Sequence, residues 1–167
     1  MIPKLEVVPV DLRSLEYEVW ESGTVVGRIR HTPLQALAKG SVRAGAEELA
    51  VLREGVLRAS YQLRSPDGSV RARAERQGAS GAAYRLRFAD AELLLKKKVS
   101  GRRETYLLTG PGGQAASIVR DNHFSRKLSV ERSETTSAFP AEILLFVLWL
   151  ALLIHRRDDP GSAGWAS

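Results

Sequence analysis

The densest chemistry in the chain is a run of cations. Lys96, Lys97 and Lys98 are followed within a few residues by Arg102 and Arg103, and Ser100-Gly101 between them reads as a tight turn. On two strands joined by that turn, the five cations would meet at a hairpin tip and hold phosphate groups. Each cation near an anionic surface is worth about 1 kcal/mol. The plainer reading is a solvated charge run that protects a strand edge. A second basic set, Arg71, Arg73, Arg85 and Arg87, alternates with apolar residues on two successive strand-like stretches. No aromatic residues interleave on that face, and no DNA- or RNA-binding motif is present, so a nucleic-acid partner is not expected.

Catalytic constellations are thin. His31, His123 and His155 are far apart and lack metal-ligand spacing, so no metal or other cofactor is expected. Asp121-Asn122-His123 could hold a base, yet no nucleophile elbow or glycine-rich phosphate loop accompanies it, and it reads as a turn. Gly112-Gly113-Gln114 resembles the tripeptide of peptide-chain release factors but lies in a Pro-Gly turn. Glu142, if buried, would have a raised pKa; helix capping is its simpler role. The expectation is a protein that is not an enzyme.

Composition narrows the class. There are no cysteines, which excludes disulfides, thiolate catalysis, zinc fingers and iron–sulfur clusters. Hydrophobic residues at 44% and charged residues at 26% argue for a folded domain rather than disorder. A net charge of +6 suits an acidic partner, or simply solubility. The N-terminus carries no secretory signal pattern. A cytoplasmic address is expected, peripheral to the inner face of the membrane if lipid is the partner.

Nearly everything before residue 138 alternates with period two. Leu15, Tyr17 and Val19 share one face, and Glu21-Ser22-Gly23 turns the chain into Thr24–Arg30. Thr32–Gly45 is the least clear segment: Leu34, Leu37 and Ala38 suggest one helical turn, ended by Lys39-Gly40-Ser41. Glu47–Arg53 and Val56–Arg64 read as two strands. In the second, Leu57, Ala59, Tyr61 and Leu63 face inward and Arg58, Ser60, Gln62 and Arg64 outward. Pro66-Asp67-Gly68 is a strong turn. Similar runs follow over 70–75, 84–88, 92–98, 104–108, 115–120 and 126–132. This predicts about ten to twelve strands, a sandwich or a barrel.

One stretch departs from that pattern. Ile143 to Ile154 is twelve residues without a polar side chain. Pro140 and Glu142 suit a helix start, His155-Arg156-Arg157 suit its end, and Asp158-Asp159-Pro160-Gly161 stops it. A bilayer needs about 20 apolar residues, whereas runs of about 10–14 are more often buried core helices. A C-terminal membrane anchor beneath a smaller cytosolic β domain is the alternative. Small residues at expected inward positions (Gly27, Ala59, Ala72, Ala74, Ala116) leave room for a helix on the axis of a closed sheet. The prediction is a closed antiparallel barrel of about twelve strands over residues 1–157, around a central helix at 140–157. A flexible tail is expected over 158–167.

The Tyr-x-[Leu/Val] hairpins at Tyr17, Tyr61, Tyr84 and Tyr106, the unit Gly23-Thr-Val-Val-Gly-Arg-Ile29, its late counterpart Gly113-Gln-Ala-Ala-Ser-Ile-Val119 and the ending Ala138-Phe-Pro-Ala-Glu-Ile-Leu-Leu-Phe-Val-Leu-Trp-Leu150 carry a resemblance. Together they make the chain similar to small bacterial members of the tubby C-terminal-like superfamily, which includes the LURP-one-related proteins and phospholipid scramblases. That resemblance implies a barrel of about twelve strands around one hydrophobic helix and, from the tubby domains within the superfamily, a module that binds lipid headgroups; a monomer is expected. The scramblases' cysteine-rich, proline-rich and acidic calcium-binding segments are absent, so lipid scrambling is not implied. The expected partner is anionic membrane lipid, with Lys96, Lys97, Lys98, Arg102 and Arg103 as candidate contacts; an unknown protein partner is the remaining alternative.

Overall fold

Alternating apolar and polar side chains let one face of each strand meet a core while the other meets water. In the computed structural model this produces twelve strands: β1 (Leu5–Pro9), β2 (Glu16–Glu21), β3 (Thr24–His31), β4 (Gly40–Ala44), β5 (Glu47–Glu54), β6 (Ser60–Arg64), β7 (Val70–Arg76), β8 (Ala83–Phe88), β9 (Ala91–Ser100), β10 (Arg103–Gly110), β11 (Gly113–Arg120) and β12 (Leu128–Arg132). A single helix, α1 (Ala141–Asp158), follows. The structure describes residues 2–11, 15–32, 39–55, 60–79, 82–120, 126–134, 136 and 139–158.

Each strand pairs antiparallel with its neighbours in sequence, and β1 closes the ring on β12 through Leu5 opposite Val130 and Val7 opposite Leu128. Closure leaves no sheet edge to protect. The expectation of a closed barrel of about twelve strands is met. The β2–β3 turn shows how the chain reverses so tightly. Ser22 and Gly23 both have positive φ (49° and 80°), the geometry that matches the twist of a two-residue hairpin.

The helix runs inside this barrel. Every residue from Ile143 to Ile154 is buried, with Phe146 to Ala151 fully so. A helix hidden on all its faces must have wall all round it. Its ends are polar, as its sequence predicts: the Pro140 carbonyl accepts from the Ile143 amide at 3.0 Å, and Glu142 lies in the first turn. Among the described residues, no helix is long and apolar enough to cross a membrane.

Small wall residues make the space. Ala72, Ala74 and Ala116 are buried on the inner face. Gly27 faces Leu145 so closely that a β-carbon there would sit 2.7 Å from Leu145 Cδ2. Ala59 lies outside the described residues.

Gly40, expected to follow a helical turn, opens β4, paired with His31 on one side and Val51 on the other. Only a residue without a side chain fits, because a β-carbon would fall 1.9 Å from the Arg30 carbonyl oxygen. Leu34, Leu37 and Ala38 lie outside the described residues, as do Leu57 and Arg58. Gln62, expected to face solvent, is only 2% exposed, and its Oε1 accepts a hydrogen bond from Arg64 Nε at 2.8 Å. The tail beyond Asp158 is also outside the described residues.

Candidate functional site

The contacts of α1 orient the barrel. Trp149 lies beside Gly40 at the start of β4, His155 reaches Glu104 at the start of β10, and Arg157 reaches Tyr61 and Tyr84 near the starts of β6 and β8. The helix C-terminus therefore emerges at the end of the barrel where the even-numbered strands from β4 to β10 begin. The β9–β10 hairpin turns at the same end, through Gly101 and Arg102.

Strand alternation splits the candidate cations. Lys96 and Lys98 point outward and are exposed, and Arg102 and Arg103 are exposed at and beside the turn. Lys97 points the other way. Its side chain is 8% exposed and its Nζ lies 3.5 Å from Glu104 Oε1. The five cations thus do not share one surface. Four remain at the tip, and Lys97 belongs to the interior. Two residues past Lys97 on the same face, Val99 has cleared the rim. It is 59% exposed, the most of any large hydrophobic residue among those described.

Inside the rim, Glu104 is the hub of a polar cluster. His155 Nδ1 lies 3.0 Å from its Oε2, Arg120 Nη1 4.0 Å, and the Tyr106 hydroxyl donates to it at 3.4 Å. Burial alone would push the Glu104 pKa up, but the His155 ring, the Lys97 ammonium and the Arg120 guanidinium together hold it below the ordinary value. Arg120 also contacts the His155 ring, 2.9 Å from Nδ1 and closer to Nε2.

Beside this cluster, Arg157 donates to the hydroxyls of Tyr84 (3.0 Å) and Tyr61 (2.7 Å). About two turns back along the helix from Arg157, His31 stacks on Trp149 with ring centroids 4.7 Å apart. Its Nε2 is buried without a hydrogen-bond partner among the described residues. Burial, and then the charge of Arg156, lower its pKa to about 3.

Glu104 and Arg120 were not among the expected site residues, although alternation could have found them. Tyr106 and Leu108 point inward, so Glu104 must; Ala116 and Ile118 point inward, so Arg120 must. An ionisable residue on an inward step of a strand was the signal.

The arginine stripe does assemble on the outer face, with Arg73 directly opposite Arg87 and Arg85 opposite Glu75. Carboxylates interleave with it: Glu92 lies 3.0 Å from Arg85 and 3.5 Å from Arg87, and Arg71 reaches Glu47 at 3.3 Å and Glu142 at 3.8 Å. Glu142 thus ties the helix start to the wall. Gly112-Gly113-Gln114 occupies the β10–β11 turn and the first steps of β11, with Gly113 at φ 104°. Asp121, Asn122 and His123 lie outside the described residues. Among those described, no three metal-ligating side chains come together. Comparison with protein-family models, curated proteins and solved structures finds no match for this chain.

Proposed function

We propose that this protein is a non-enzymatic binding module that engages anionic phospholipid headgroups at a membrane surface through the β9–β10 tip. The observation that carries this reading is Val99, 59% exposed and flanked in sequence by Lys98 and by Arg102 and Arg103. An apolar side chain among cations at a protruding end suits the boundary between headgroups and acyl chains. The four exposed cations of the tip would each add about 1 kcal/mol near an anionic leaflet. Membership of the tubby C-terminal-like superfamily, with its helix-filled barrel, is part of the same proposal. A monomer acting in the cytoplasm, peripheral to the inner face of the membrane, follows from it.

Co-sedimentation with phosphatidylcholine vesicles, with and without about a third phosphatidylserine, tests the proposal. The wild type is expected to pellet only with the anionic vesicles. Substituting Lys96→Gln, Lys98→Gln, Arg102→Gln and Arg103→Gln together should abolish pelleting, and Val99→Asp should weaken it. Pelleting that ignores both lipid charge and these substitutions would remove the tip as a membrane site.

A further inference from the structure

Antiparallel order sends every connection between strands to one end of the barrel or the other. The end at which α1 emerges also receives the finish of β1, because the Val10 amide donates to the Glu16 carbonyl, at the start of β2, across 2.9 Å. The finish of β3 lies beside it, where the His31 amide donates to the Leu15 carbonyl at 2.7 Å. Val10 therefore shares this end with Val99. At 53% and 59% they are the two most exposed large hydrophobic residues among those described. They are not neighbours. Strands β12, β11 and β10 stand between β1 and β9 in the ring, so about 20 Å of wall separates them at the usual strand spacing.

Charge divides between the two ends as well. Around this rim stand Lys39 before β4, Arg76 at the finish of β7, Arg102 and Arg103 at the β9–β10 turn, and Arg126 and Lys127 before β12, all exposed. The carboxylates at corresponding positions of the same rim are Asp11, Glu16 and Glu54. Among the described residues the other rim has the opposite balance: Glu21, Glu47, Asp67, Asp90 and Glu134 outnumber Lys4, Arg64 and Arg132. Val25, Val26 and Val70 are 36% to 39% exposed nearer that rim, so charge rather than apolar surface distinguishes the ends. The axle of eighteen residues holds the two charge sets about 27 Å apart, well beyond the roughly 8 Å screening length of physiological salt.

We propose that this whole end, rather than the β9–β10 tip alone, is the membrane-docking face, so that the barrel stands end-on upon an anionic bilayer with its axle along the membrane normal. The inference rests on the lipid-binding reading above, and adds to it an orientation and a second apolar anchor, Val10. Two valines so far apart on one rim enter a single plane only when that rim faces the bilayer. Cations spaced around the ring, from Lys39 to Lys127, then reach the headgroups together, while Val10 and Val99 meet the acyl boundary. The acidic rim points into water, beyond the reach of the leaflet charge.

The chain has no cysteine, so single cysteines can carry an environment-sensitive fluorophore. Val10→Cys and Val99→Cys place it on this end, Ala46→Cys on the acidic end, and Arg85→Cys on the outer wall of β8. With the anionic vesicles, emission from both end labels should shift to the blue, and emission from the Ala46 and Arg85 positions should not. Separately, the unlabelled chain carrying Lys39→Gln and Arg76→Gln, both outside the tip, should lose about thirtyfold in vesicle affinity. Lys4→Gln with Arg43→Gln removes equal charge away from this end, and should change affinity by less than about twofold. Vesicle binding in which the Val10 label stays in water, the Arg85 label shifts, or Lys39 and Arg76 make no difference overturns end-on docking and leaves the lipid reading standing. If the wild type does not pellet with anionic vesicles at all, the lipid reading falls, and this inference with it.

Discussion

The indole N–H of Trp149, on the axle, donates to the carbonyl of Arg30, on the wall, across 3.1 Å. That contact exists because Gly40 carries no side chain: a β-carbon there would lie 2.7 Å from the indole nitrogen and 1.9 Å from the Arg30 oxygen. Backbone cannot move aside as a side-chain end can. Gly40→Ala is therefore expected to cost about 3 kcal/mol, the upper part of the overpacking range. Gly27→Ala, which meets chiefly the movable end of Leu145, should cost about 1 kcal/mol. Urea unfolding of the two variants checks the order, and equal losses would mean that Trp149 is not seated as described.

Lys97 and its two lysine neighbours should separate cleanly by mutation. Glu104→Gln leaves Lys97 and Arg120 largely buried without their shared carboxylate, and removal of one partner from such a cluster costs about 3–5 kcal/mol. Lys96→Ala and Lys98→Ala, on the outer face, should stay within about 0.5 kcal/mol of wild type. Because the folded state holds Glu104 below its ordinary pKa, its stabilisation is present above that value and is lost as pH falls through the folded one. Glu104→Gln should accordingly flatten the acid limb of the stability curve as well as lower the whole curve.

His31 adds a pH dependence of its own at milder acidity. Its pKa falls from 6.5 to about 3 on folding, so the folded state binds fewer protons than the unfolded chain between those values. The stabilisation is complete above pH 6.5 and fades as pH drops toward 3. Between pH 7 and pH 5 it should amount to about 2 kcal/mol. His31→Phe keeps an aromatic ring against Trp149 and removes the orphaned Nε2, so its stability should fall less by that amount over the same interval. An unchanged slope would show that His31 does not titrate as a buried neutral group.

At the tip, vesicle binding should depend on salt. Raising ionic strength from about 0.05 M to 0.5 M shortens the screening length severalfold, and the four exposed cations should lose most of their attraction. Val99→Asp should weaken binding at low salt and leave little residual binding at high salt. Salt-independent binding would point to an apolar contact elsewhere.

Much of this architecture was legible because period-two alternation is a geometric necessity of strands. Tyr84, Leu86 and Phe88 against Arg85 and Arg87 could be assigned to faces from their order alone. The helix was legible for the converse reason, since Ile143–Ile154 has no face that tolerates water. Gly40 gave no sign of opening a strand, because a glycine after a short apolar run looks like a helix stop, and only the Trp149–Arg30 contact shows why β4 needs it. The basic run was misread at one position. Three consecutive lysines look like one patch, but successive strand residues face opposite ways, which sends Lys97 to Glu104. Alternation turns Glu104 and Arg120 inward, but the Glu104–Arg120–His155 cluster joins residues far apart in the chain, and no local spacing says which partners they meet.

The most direct test of the account removes the axle. A chain truncated after Pro140 retains all twelve strands and loses the side chains that fill them. Its amide proton–nitrogen spectrum, recorded beside that of the full chain in the same buffer, should collapse into the narrow range of an unfolded or molten chain. A dispersed β-sheet spectrum from the truncated chain would contradict the central claim that this helix is the core of the barrel.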